Sequence, residues 1–107
     1  MKNKLKKFDD DKVRFGLLPP KALHSIAAVF TYGARKYDAY NFMKGTNWSR
    51  YYDALQRHLN AYWCREDNDN ESKLLHLAHA CCCAMILLTY QIMGVGEDDR
   101  PKNKTRS

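Results

Sequence analysis

Residues 74–93, twenty positions in a chain of 107, contain no Asp, Glu, Lys or Arg. As a helix such a segment is about 30 Å long, so it either crosses a bilayer or forms the centre of a helical assembly. His76, His79 and Gln91 interrupt it, and only 80–88 is continuously apolar. Those polar intrusions favour the central helix of a bundle over a membrane span. A chain this short supplies one modest core and no second domain. A helix apolar on every side offers more surface than two neighbours can cover, which predicts a homo-oligomer.

The flanking sequence supplies those neighbours. Leu17-Leu18-Pro19-Pro20 is an extended stop followed by a proline suited to a first helical turn. Leu23, Ile26, Ala27, Phe30 and Ala34 then recur at helical spacing, predicting a first helix over about 21–36. The stretch 37–47 is rich in aromatics, Asn and Gly and reads as an ordered loop. Asn47 or Ser49 can cap a second helix reaching Trp63, with Tyr52, Leu55, Leu59 and Tyr62 on one face. The acidic run 65–71 is expected immediately before or within the first turn of the third helix, where the dipole favours carboxylates. Gly94 is its natural stop. With no alternating strand pattern, the chain reads as all-α: a small bundle of three main helices spanning 15–96 and completed by oligomerisation. Flexible charged segments, 1–14 and 97–107, flank it.

The formal net charge is +6, with six Lys/Arg against three Asp in 1–14 and four against three acidic residues in 97–107. A basic surplus spread over flexible ends is a solvation feature and argues against dedicated DNA binding. Cys81, Cys82 and Cys83 are consecutive, so on a helix they point about 100° apart and cannot converge on one metal. With Cys64 they read as buried, reduced thiols of a cytoplasmic protein. No secretory signal is readable, since the N-terminal lysines precede no apolar run.

Two constellations carry chemistry. The first is His58, then Glu66, Asp67, Asp69 and Glu71, then His76-x-x-His79, with Asp53 on the second helix. His76 and His79 share one side of a helix, and an antiparallel second helix brings His58 and Asp53 opposite them. Carboxylates and imidazoles from two facing helices and their turn are the makings of a divalent-cation site. Either histidine alone reads as well as a satisfied polar residue, and the acidic run alone as a solvated turn. An EF-hand is excluded, because the loop glycine is missing and its twelfth position would be Ala78. The second constellation is basic and aromatic: Arg35, Lys36, Tyr37, Asn41, Lys44, Asn47, Trp48 and Arg50, with Arg57 beyond. Aromatic rings stack on bases and cations meet phosphates, so the two patches together point to a metal-bound, phosphorylated ligand.

The blocks Arg14-Phe15-x-Leu17-Leu18-Pro19-Pro20, Tyr32-Gly33-Ala34-Arg35-Lys36-Tyr37, Asp53-Ala54-x-x-Arg57-His58, Glu66-Asp67-x-Asp69-x-Glu71-Ser72 and His76-Leu77-Ala78-His79-Ala80 occur in order. They resemble the phage family of dATP/dGTP diphosphohydrolase N-terminal domains, described as MazG-like, over about 13–92. The resemblance implies an all-α nucleotide pyrophosphohydrolase. Such an enzyme converts purine deoxynucleoside triphosphates to monophosphates and pyrophosphate with Mg²⁺, in the cytoplasm of an infected bacterium. It implies glycine before Glu-Asp and after Glu-Ser, where this chain has Arg65 and Lys73. On this reading Asp53, Glu66, Asp67, Asp69 and Glu71 are the metal candidates, for Mg²⁺ or Mn²⁺, or Zn²⁺ given the imidazoles. His58, His76 and His79 are ligands or acid/base groups. Arg35, Lys36 and Arg57 meet phosphate, and Tyr37 or Trp48 meets the base. Two other readings use the same residues: a non-catalytic phage protein that sequesters a host signalling nucleotide, and a structural or host-interaction module.

Overall fold

The computed structural model describes residues 5–102, so the outer parts of both flanking segments, 1–4 and 103–107, lie outside the described residues. Helix α1 spans Pro20–Lys36, with Pro20 in the first turn, where its missing N–H costs nothing. It ends at Tyr37, whose N–H is donated to the Gly33 carbonyl, and Arg35 and Lys36 in the last turn complement the helix dipole. Helix α2 spans Trp48–Trp63 and helix α3 His76–Met93. Short 3₁₀ turns at Phe15–Leu17 and Asn41–Lys44 precede α1 and α2. Among the described residues there is no strand, only isolated bridges. The molecule is an all-α bundle, as the periodicities predict.

Helix α3 is the shared partner of the other two. Its inner face buries His76, Ala78, Ala80, Cys82, Cys83, Ile86 and Tyr90, and α1 brings Val29 into the same core. Tyr90 has no accessible surface, donates its hydroxyl to the Phe42 carbonyl (2.6 Å) and meets the Tyr51 ring at 5.8 Å. One side chain thus ties the loop 37–47 and α2 to the central helix. Gly94 takes the left-handed conformation (φ 68°) and ends α3. Burial pushes the Cys82 and Cys83 thiols up to about 12 and about 11, so both stay protonated. Cys64 and Cys81 are exposed, contrary to the expectation that all four thiols are buried.

Three expectations are corrected. The face of α2 that packs inward carries Trp48 and Tyr51, so Tyr52 and Tyr62 of the expected stripe remain exposed. Neither Asn47 nor Ser49 caps α2 with its side chain; Asp99 reaches back to accept from the Ser49 N–H (2.9 Å) and hydroxyl. Residues 95–100 therefore do not trail freely. Trp48 N–H donates to the Glu97 carbonyl, its indole N–H to the Val95 carbonyl, and Arg100 lies 4.9 Å over its ring. The close approach requires Gly96 (φ 78°), since a Cβ there would run into the Thr46 carbonyl oxygen. Of the two placements expected for the acidic run, it takes the one before α3 and not the one within its first turn, in a loop where the Asp69 N–H is donated to the Leu74 carbonyl and the His76 N–H to the Asp67 carbonyl.

Candidate functional site

The loop 64–75 folds back because Arg65 and Lys73 both take left-handed backbone (φ 67°). Left-handed backbone is the conformation that glycine adopts most readily, so the turn is held by residues that favour it less. The reversal places the acidic run over the start of α3 and opposite the second half of α2.

Three imidazoles meet there. His58 Nδ1 and His76 Nδ1 are 2.8 Å apart, while the His58 and His79 rings stack at 4.6 Å between centroids and 10° between planes. His76, buried at 6% exposure, has its Nε2 2.8 Å from the Glu66 carboxylate. His79 Nε2 lies 2.7 Å from the Ser72 hydroxyl and 3.9 Å from Asp69. Burial lowers the pKa of His58, and its imidazole neighbours His79 and His76 lower it further. Burial also lowers that of His79, so both rings are neutral near neutrality and keep a lone pair for a proton or a metal. Burial acts to raise the Asp69 pKa, but the Ser72 N–H donated to the carboxylate (2.8 Å) and the nearby imidazoles hold it below the usual range.

Beside this cluster a cleft of about 1060 Å³ opens between α1, the loop 37–47, α2 and α3. His58, His79, Asp69 and Glu71 line one part, Lys36, Lys44, Arg50 and Arg57 supply cations, and Tyr37, Tyr40 and Phe42 supply aromatic surface. Glu71 accepts from Lys36 (2.6 Å) and from the Tyr32 hydroxyl (2.7 Å); both bonds hold its carboxyl pKa low. The cleft thus carries members of both constellations.

The sequence-predicted residues do not all reach it. His58, His76, His79, Asp69 and Glu66 converge, Glu71 stands at the cleft with Lys36, and Arg57 and Tyr37 line it. Asp53 is exposed on α2 outside the cleft, and Asp67 serves through its backbone carbonyl. Arg35 borders a smaller recess on another side of α1, with His24 and Ser72. Trp48 is committed to the C-terminal segment and does not face the cleft. Ser72 and Tyr32 join the site without having been singled out as site residues. Ser72, three positions after Asp69, has the spacing of a side-chain turn that could have revealed it, whereas nothing local marks Tyr32.

The class the fold and site define is an all-α domain with a histidine and carboxylate cluster at the mouth of a cationic, aromatic cleft. The chain matches the family described as dATP/dGTP diphosphohydrolase, N-terminal, over residues 2–100, and it belongs to that family. A relative named dATP/dGTP diphosphohydrolase, from Salmonella phage PMBT28, is 32% identical over 94 residues, 88% of this chain. The match covers 32% of that relative, so the chain spans about a third of its length. No solved structure matches the chain.

Proposed function

We propose that this protein is a nucleotide diphosphohydrolase that cleaves purine deoxynucleoside triphosphates to monophosphate and pyrophosphate with a divalent cation. The observation that carries the reading is the single cleft bearing His79, Asp69 and Glu71 beside Lys36, Arg57 and Tyr37. The membership of the family and the name of the phage relative agree with it. Lys36 and Arg57 hold phosphate oxygens, with Lys36 exchanging its Glu71 partner for substrate, and Tyr37 packs on the base. Water attacks the α-phosphorus, the bond to the bridging oxygen breaks, and the electron pair leaves with pyrophosphate. Neutral His79 takes the proton from the attacking water, and Asp69, 3.9 Å away, stabilises the imidazolium that results.

Magnesium prefers oxygen ligands in near-octahedral geometry. The cluster offers imidazole nitrogens first, Glu71 is taken by Lys36 and Tyr32, and Asp53 and Asp67 stand apart. These residues do not make an all-oxygen cage, and Mg²⁺ in this reading arrives on the phosphates of the nucleotide.

The test is incubation of the protein with each dNTP and NTP plus Mg²⁺, Mn²⁺ or Zn²⁺, with products separated by ion-exchange chromatography. Purine dNTPs should give monophosphate and pyrophosphate, and His79→Ala should abolish turnover while the far-ultraviolet spectrum stays helical. Intact nucleotide in every incubation, bound or unbound, would overturn the enzymatic reading.

A further inference from the structure

The ion that the protein itself holds follows from the donors at the α2–α3 junction. His58, His76 and Asp69 each present a ligand atom within 4.8 Å of the other two. The Nδ1 nitrogens of His58 and His76 lie 2.8 Å apart, a distance at which at most one proton fits between them. One ring donates its N–H to the other's lone pair, so a cation that displaces this proton meets two nitrogens already brought together. His76 is oriented from behind, with its Nε2 against Glu66 (2.8 Å), the carboxylate–histidine arrangement that fixes a ligand's tautomer. Asp69 is oriented likewise, by the Ser72 N–H at 2.8 Å. The cluster thus has three convergent donors, each held by a group outside it or by the packing of α2 on α3.

We propose that His58, His76 and Asp69 form a protein-held site for a divalent transition metal of the zinc or cobalt class, selective against Mg²⁺, with Glu66 positioning His76. Two imidazoles and one carboxylate are the donor set that borderline cations prefer, whereas hard Mg²⁺ gains little from nitrogen. Three protein ligands leave open positions for water or phosphate oxygens, the pattern of catalytic rather than structural sites. Imidazoles sharing a tetrahedral ion stand about 3.4 Å apart at their nitrogens, so loading parts His58 and His76 by roughly half an ångström. The site deepens the hydrolase reading by naming the resident ion, and its binding is measurable without turnover.

The protein is stripped with chelator, dialysed, and titrated with Zn²⁺ by calorimetry in excess Mg²⁺, with metal content measured afterwards. Co²⁺ loading is followed by its visible spectrum. One Zn²⁺ per chain should be retained, and Co²⁺ should give d–d bands of a site with nitrogen ligands. His76→Ala and His58→Ala should abolish stoichiometric binding, and Glu66→Gln should loosen it about 10–100-fold. His58 is only half-buried, so its variant keeps the test alive if the buried His76 variant fails to fold. Equal competition by Mg²⁺, or Zn²⁺ retention unaffected by His58→Ala, would overturn the site even if dNTP hydrolysis is observed. Zn²⁺ retention that depends on these residues, with no hydrolysis, would leave the site standing and remove the hydrolase reading.

Discussion

Arg65 and Lys73 show how a turn can be built from residues that resist it. Left-handed backbone costs a side chain about 1–2 kcal/mol, while glycine there loses about 0.5–1 kcal/mol in unfolded-state entropy. Arg65→Gly and Lys73→Gly should therefore each stabilise the protein by up to about 1 kcal/mol, read by urea denaturation. A loss of stability in either would mean that the side chain contributes more than the backbone strain costs. The histidines give a pH dependence of definite sign. His58 and His79 titrate below the ordinary imidazole value of 6.5 in the folded chain, so the unfolded chain takes up protons first. Stability is then fully present above 6.5 and declines as the pH falls toward the lower folded values. The melting temperature of chelator-treated protein should drop as the pH falls below 6.5, and His79→Gln should flatten that slope. At this scale the residue types were legible in the sequence. Their partners were not: Glu66 facing His76 and Ser72 facing His79 depend on the folded-back loop.

Among the elements, α1 and α3 were the most legible, because Pro20 and Gly94 mark a start and a stop whose physics is local. The N-terminus of α2 was not, since its cap comes from Asp99, fifty positions away. Asp99→Ala should lower the unfolding midpoint, because it removes the acceptor of the Ser49 N–H and hydroxyl. The experiment is thermal or chemical unfolding, and an unchanged midpoint would show that the C-terminal segment holds α2 through Trp48 alone. The expected face of α2 holds at its middle, where Leu55 and Leu59 are half-buried, and fails at Tyr52 and Tyr62, which stay exposed while contact with Tyr90 selects Tyr51.

The whole molecule leaves apolar surface uncovered. Leu77, Met85, Leu88 and Ile92 line the outer side of α3, with Leu88 55% and Ile92 73% exposed. We propose that a second copy of the chain covers this face, as the uncharged stretch 74–93 leads one to expect. Light scattering should give a mass above 12.5 kDa, and Leu88→Glu with Ile92→Lys should shift it toward the monomer. A monomeric parent protein would overturn the proposal. By itself the sequence determined the class of fold, the number and approximate ends of the helices, and the kinds of residue available for chemistry. Periodicity, proline and glycine act over a few neighbouring positions. Only the tertiary structure decided which of those residues meet: the reversal at Arg65 and Lys73 and the packing of α2 on α3 bring His58, Asp69, His76 and His79 together while leaving Asp53, Arg35 and Trp48 outside. Convergence depends on distances between residues far apart in the chain, which no local pattern encodes.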